Sequence, residues 1–185
     1  MSKLELIRAL YDYNESANNH VLEAASRLSD AEFSRKQGAS FESVEGNLGH
    51  IVAGQMNWLE RWTSGKNLMP TAEVQKIRGL GALRGAFDRS HELLREFVAS
   101  LNEERLDGVL AYRDSRGKRD ERPMWQLMTH VVNHGTHHRA ETAMAMAAMG
   151  KPMQELDYVY FEIERDRDPV EKLKSRDLKS GKRDL

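Results

Sequence analysis

The sequence predicts an all-α protein, a four-helix bundle with one small β-hairpin before the last long helix. Three observations predict it. Apolar residues recur at steps of three and four through four separate stretches, the period of a helix with one buried face. The chain is 39% hydrophobic and 31% charged with only 4 prolines, as suits helices half-covered by water. No apolar run approaches the roughly 20 residues that span a bilayer, so these faces are read as facing a protein core.

The first helix is expected from about Leu4 to Leu28, on the spacing of Leu6, Leu10, Tyr13, Ala17, Val21, Ala24 and Leu28. Ser29-Asp30-Ala31-Glu32 reads as a cap that starts a short extra turn. After the loop Gln37-Gly38-Ala39-Ser40, a second helix runs from about Ser43 to Trp62, with Ser43 as its cap. The stretch from Asn67 to Gly79 contains Pro70 and has no period, so it reads as a long connection. A third helix covers about Leu80 to Leu101, on Leu83, Phe87, Leu94, Phe97, Val98 and Leu101.

Val109 to Tyr112, the turn Asp114 to Gly117 and Lys118 to Arg122 then read as a hairpin. The fourth helix is expected from Pro123, at its first position, to about Met149, with a stop at Gly150-Lys151-Pro152. Leu156 to Phe161 is apolar and aromatic. The charged segment from Glu162 onward has few anchors and reads as a largely mobile tail. Trp58, Trp62 and Trp125 fall at core spacing.

Composition also excludes classes of function. The chain has 185 residues, which suits one domain with a sizeable core. With no cysteine it forms no disulfide, thiolate metal site or cysteine nucleophile, so any metal needs nitrogen or oxygen ligands. Lys+Arg 28 against Asp+Glu 29 lacks the basic surplus of a nucleic-acid binder. The acid at Glu5 interrupts anything like a signal core, so the expected address is cytoplasmic, with no membrane partner.

Four of the seven histidines lie in the last helix: His130, His134, His137 and His138. Residues four apart on a helix share a face, and two imidazoles so placed can reach one ion. His130/His134 and His134/His138 both have that spacing. Rotation separates them. With His130 at zero and about 100° per residue, the apolar face centres at about 100° and His138 falls at about 80°. His134 falls at about 40°, while His130 and His137 fall at about 0° and −20°.

Two inward imidazoles are costly to satisfy with hydrogen bonds alone, and a shared divalent ion resolves both. The competing reading is hydrogen-bonded core or dimer-interface histidines. A third ligand must come from another helix. His50 lies in Asn47-Leu48-Gly49-His50-Ile51, beside the face of Trp58 and Trp62; His91 borders its own apolar stripe, and His20 sits in a polar patch.

Asn47-Leu48-Gly49-His50-Ile51 and Asn133-His134-Gly135-Thr136 followed by His138-Arg139 resemble the histidine motifs of the DinB family, within the DinB/YfiT-like metalloproteins. Tyr13-Asn14, Ala17-Asn18, Leu28-Ser29, Glu32-Phe33, Leu156-Asp157 and Tyr160 are similar to further family positions. The likeness spans about Leu6 to Arg165. The chain departs from the family at His137, where Tyr is frequent, and at Ala140-Glu141, where Gly-Gln is frequent. The resemblance implies metal ligands at His50, His134 and His138, with zinc or nickel as the ion. It implies an up-down-down-up bundle with a long crossover between helices 2 and 3, in a homodimer. Residues 1–165 would form the metal-binding bundle and 166–185 the charged tail.

An ion held by three neutral imidazoles keeps its full charge and open positions. It can activate a thiol or a water. Relatives suggest transfer of a low-molecular-weight thiol to an electrophile, and the absence of cysteine fits a thiol supplied from outside. His130, His137 and Glu141 are candidates for proton handling; the plainer role for Glu141 is pairing with a nearby Arg or Lys. The alternatives are metal-dependent hydrolysis, with Glu141 as base, and a non-enzymatic, stress-related helical binding protein. In the last the metal would be structural, with His130 closing the shell.

Overall fold

The computed structural model describes residues 1–38, 40–65, 76–114 and 117–166. Helix α1 spans Lys3–Ala25 and begins with a capping box: Ser2 Oγ accepts from the Glu5 amide, and Glu5 accepts from the Ser2 amide. Ser29 and Glu32 repeat the device for the one-turn α2, Asp30–Phe33. Each box satisfies two amides that a helix start leaves without partners. Helix α3 spans Val44–Ser64, with Ser43 Oγ taking the Gly46 amide and Gly65 ending the helix at φ 68°. Helix α4 is Leu80–Ala99 and α5 is Glu103–Asp107.

Strands β1 (Val109–Arg113) and β2 (Arg119–Pro123) pair antiparallel, with Val109 opposite Pro123 and Arg113 opposite Arg119. Helix α6, Met124–Ala148, follows at once. It ends in a Schellman motif: the Lys151 amide donates to Met146 O, the Gly150 amide to Ala147 O, and Gly150 has φ 73°. Helix α7 is Tyr158–Asp166.

The expected helices and hairpin are present, with no end shifted by more than three residues. Three details differ from expectation. Helix α5 was not expected: five residues are too few for periodicity, although Asn102 before Glu103-Glu104 is a cap signal. Pro123 is the N-cap of α6, still in extended backbone at ψ 142°, because it also closes β2. Helix α7 extends into the charged segment that was expected to be tail. Most of the long connection from Asn67, and the tail from residue 167, lie outside the described residues.

The chain divides into two compact units, Met1–Met153 and Gln154–Leu185. In the first, α1 and α3 each pack on both α4 and α6. Ile7, Val21 and Leu22 of α1 meet a core shared with Leu48, Ile51 and Val52 of α3, Leu83 and Phe87 of α4, and Met128 and Met146 of α6, all nearly fully buried. Burying each such side chain contributes about 1.5–3 kcal/mol. That core fixes the facing of α3 against α6, the pair that carries the histidines. In the second unit, α7 is braced by an ion pair between Glu162 and Arg165. No described helix is long and apolar enough to cross a membrane.

Candidate metal centre

His50 of α3 and His134 of α6 bring their Nε2 atoms within 2.9 Å. The His138 ring stands 4.5 Å from that of His134 and 4.6 Å from that of His50, centroid to centroid. One nitrogen from each of the three lies within 4.8 Å of the others. The three histidines could hold a metal ion. Ligand nitrogens on a tetrahedral ion sit about 3.3 Å apart, so the closest pair needs to open by only a few tenths of an ångström.

The helices explain the convergence. His138 is 5% exposed on the buried stripe of α6, and His134 sits half-buried at its edge, as rotation predicts. Gly54 of α3 faces the His134 ring. A Cβ there would lie 3.3 Å from His134 Cε1, so the bare backbone gives the ring its space.

Electrostatics favour neutral rings. Burial first, then the charge a protonated His138 would add, lowers His50 to about 4. Burial, then the surrounding histidines, lowers His134 to about 3. Both rings keep their lone pairs at neutral pH, as metal ligation requires. The metal-free protein pays for this in acid. Folded-state pKa values below the unfolded value of about 6.5 mean that the unfolded chain binds protons first. The stability these rings leave intact near neutrality is therefore lost progressively as pH falls from about 6.5 through their folded values. Melting temperature in chelator is expected to drop between about pH 7 and pH 4, and His134→Asn is expected to flatten the slope. A level profile in the unaltered protein would contradict this.

A family model described as DinB family matches residues 1–168. The chain belongs to the DinB family. It is also similar to Protein DinB of Bacillus subtilis (strain 168), 24% identical over 156 residues, covering 80% of this chain and 89% of the relative.

In this DinB-family chain the remaining candidates occupy distinct places. Glu141 Oε2 lies 2.9 Å from His138 Nδ1, and its Oε1 accepts from Ser40 Oγ at 2.5 Å. It pairs with the third histidine and the loop before α3, and among the described residues not with the Arg or Lys expected as its plainer partner. Burial alone would raise its pKa; the hydrogen bonds from Ser40 and His138 outweigh that and lower it. A carboxylate on Nδ1 holds the proton there and leaves Nε2 of His138 as the free ligand atom. Glu141→Ala is expected to weaken metal affinity about 10–100-fold, read by competition with a chelating dye. Unchanged affinity would show that this contact does not serve the centre.

His137 is exposed, with Nε2 3.6 Å from Glu141 Oε1. His130 is exposed, 5.8 Å from His134 and edge-on to Trp58 at 5.5 Å, centroid to centroid, and it is not in the three-histidine group. His91 lies buried against Asn18, and His20 Nδ1 bonds the Ser16 carbonyl, so neither joins the centre.

The sequence reading missed two contributors. Phe41 stacks on His50 at 3.6 Å and meets His138 edge-on at 5.3 Å, covering the rings from the loop. Beside it a cavity of about 350 Å³ opens on His50, bordered by Gly49, Ala53, Ile77, Lys36 and Arg78. Arg139 is 2% exposed directly behind His138, where it donates to Asn14 Oδ1 and Asn18 Oδ1 at 2.8 Å each. Phe41 belongs to no periodic element and gave no signal. Arg139 gave one, since about 100° per residue places it beside Gly135 toward the core.

Proposed function

We propose that this chain is a metal-dependent enzyme that holds one divalent ion, zinc or nickel, at His50, His134 and His138 and transfers a low-molecular-weight thiol to an electrophile. The observation that carries the reading is the open donor set. Three histidines converge, and His130, the residue needed to close a structural shell, stays outside the group. When bound, the ion would lower the pKa of a thiol at its open position and hold it as a nucleophile.

The chain's own residues do the rest. Glu141 orients His138, and Phe41 shields the His50 face from water. His137, with its ring 4.8 Å from that of His138, would take the thiol proton, with His130 the second candidate, its ring 5.8 Å from that of His134. The cavity beside His50 is large enough for a small electrophile. Hydrolysis fits less well, because Glu141 already engages His138 and Ser40 and is poorly free to act as a general base.

The scaffold in this proposal is an up-down-down-up four-helix bundle. Its support is the packing of α1 and α3 on both α4 and α6. Pairing into a homodimer completes the proposal, with Met144 of α6, 73% exposed, as an apolar contact. The test is turnover by zinc- or nickel-loaded protein given a thiol and an epoxide or alkyl halide. Thioether is expected to form, and His134→Ala is expected to abolish it. Ester or amide cleavage without thiol, and no thioether, would overturn the reading in favour of hydrolysis.

A further inference from the structure

Helix α6 carries a second set of donors on the outer side of His138. His138 Nδ1 lies 2.9 Å from Glu141 Oε2, and His137 Nε2 lies 3.6 Å from Glu141 Oε1. One ligand atom from each of the three lies within 4.8 Å of the others, as in the three-histidine group. Helical spacing is the cause, because residues three and four apart are neighbours on the surface of a helix. Adjacent donors on an octahedral ion sit about 3 Å apart. The His138–Glu141 pair already has that spacing. The His137 side chain is 65% exposed, so its ring is free to close the remaining few tenths of an ångström.

The surroundings suit a cation. Among the described residues the partners of Glu141 are His137, His138 and Ser40, with no Lys or Arg to neutralise its carboxylate. Ser40 is exposed, and its hydroxyl oxygen can turn its lone pairs toward an ion as readily as it donates to Oε1. Solvent reaches His137 directly and can supply the remaining ligands. The donors also differ in kind from the first group. Three imidazoles suit zinc or nickel, whereas two imidazoles and a carboxylate suit harder, octahedral ions.

We infer that His137, His138 and Glu141 form a second metal seat, for a divalent ion such as manganese(II) or iron(II). His138 belongs to both groups through opposite nitrogens. In the first it offers Nε2 while Glu141 takes the proton of Nδ1; in the second Nδ1 is the ligand and the proton sits on Nε2. A neutral imidazole has one free lone pair, so the two seats exclude each other. That exclusion rests on the proposed function's assignment of the first centre; the second seat itself does not.

Manganese(II) is the probe, added to the full chain and followed by electron paramagnetic resonance. The double variant His50→Ala, His134→Ala removes the first centre and reads this seat alone. It is expected to hold about one manganese ion per chain, and His137→Ala in that background to weaken binding about tenfold or more. His137→Ala in the otherwise unaltered chain, a change at an exposed position, is expected to repeat the loss. In the unaltered protein, one equivalent of zinc is expected to release the manganese. Manganese binding that survives His137→Ala, or no manganese binding in any of these proteins, would overturn the seat. Manganese retained beside one equivalent of bound zinc would overturn the exclusion.

Discussion

Replacing His138 with alanine is expected to empty the histidine centre. Protein loaded with excess zinc or nickel and then desalted should carry about one ion per chain in the unaltered form and less than about a tenth of that in the variant. The reasoning rests on position. His138 is the most buried of the three, and Glu141 fixes its Nδ1 so that Nε2 is already directed as a donor. Without it, two half-buried imidazoles remain, 2.9 Å apart, able to satisfy each other by a hydrogen bond. Elemental analysis of both proteins decides the matter. Equal metal content would remove the basis for the centre and for every reading of the reaction.

The largest loss of stability is expected from Arg139→Ala. The guanidinium sits on the side-chain oxygens of Asn14 and Asn18, donates to Thr136 Oγ1 at 2.9 Å and lies 5.7 Å from the Tyr13 ring. Burial lowers its pKa to about 10, so it remains charged at neutral pH. Truncation leaves two acceptors, Asn14 Oδ1 and Asn18 Oδ1, in a dry interior and undoes the ordering of Gln55 and Ser90 beyond them. Removing one member of such a buried set costs about 3–5 kcal/mol. For a domain of this size that is a fall of roughly 10 °C in melting temperature. Arg89→Ala is the control: its exposed pair with Glu92 should contribute under about 1 kcal/mol. Similar melting temperatures for the two variants would refute the account.

What sequence alone revealed follows a physical division. The long helices were legible because a buried face repeats every turn, and Ser29, Ser43 and Gly150 marked ends through caps that depend on local chemistry. His134 and His138 were legible for the same reason, as rotation on one helix is fixed. His50 required the partner helix, because His50 and His91 each border the apolar face of their own helix. What orders the two is tertiary: Asn18 takes the ring of His91, whereas Gly54 clears the approach of α6 toward His50. Glu141 was visible as a residue but its partner was not, since Ser40 comes from a loop 101 positions away. Phe41 and α5 had no repeat to reveal them.

Gly135 and Arg139 also lie four apart, one position after His134 and His138. A side chain at Gly135 would run into Arg139 Nη1 at 2.7 Å and Asn14 Oδ1 at 3.0 Å. Two interleaved rows therefore run along one helix, one offering imidazoles that could hold a metal ion and the other anchoring the interior. Inserting or deleting a single amino acid upstream in α6 would swing both rows by about 100° at once. Loss of the histidine cluster and misfolding are thereby tied together in this stretch, leaving it little freedom to evolve by changes in length.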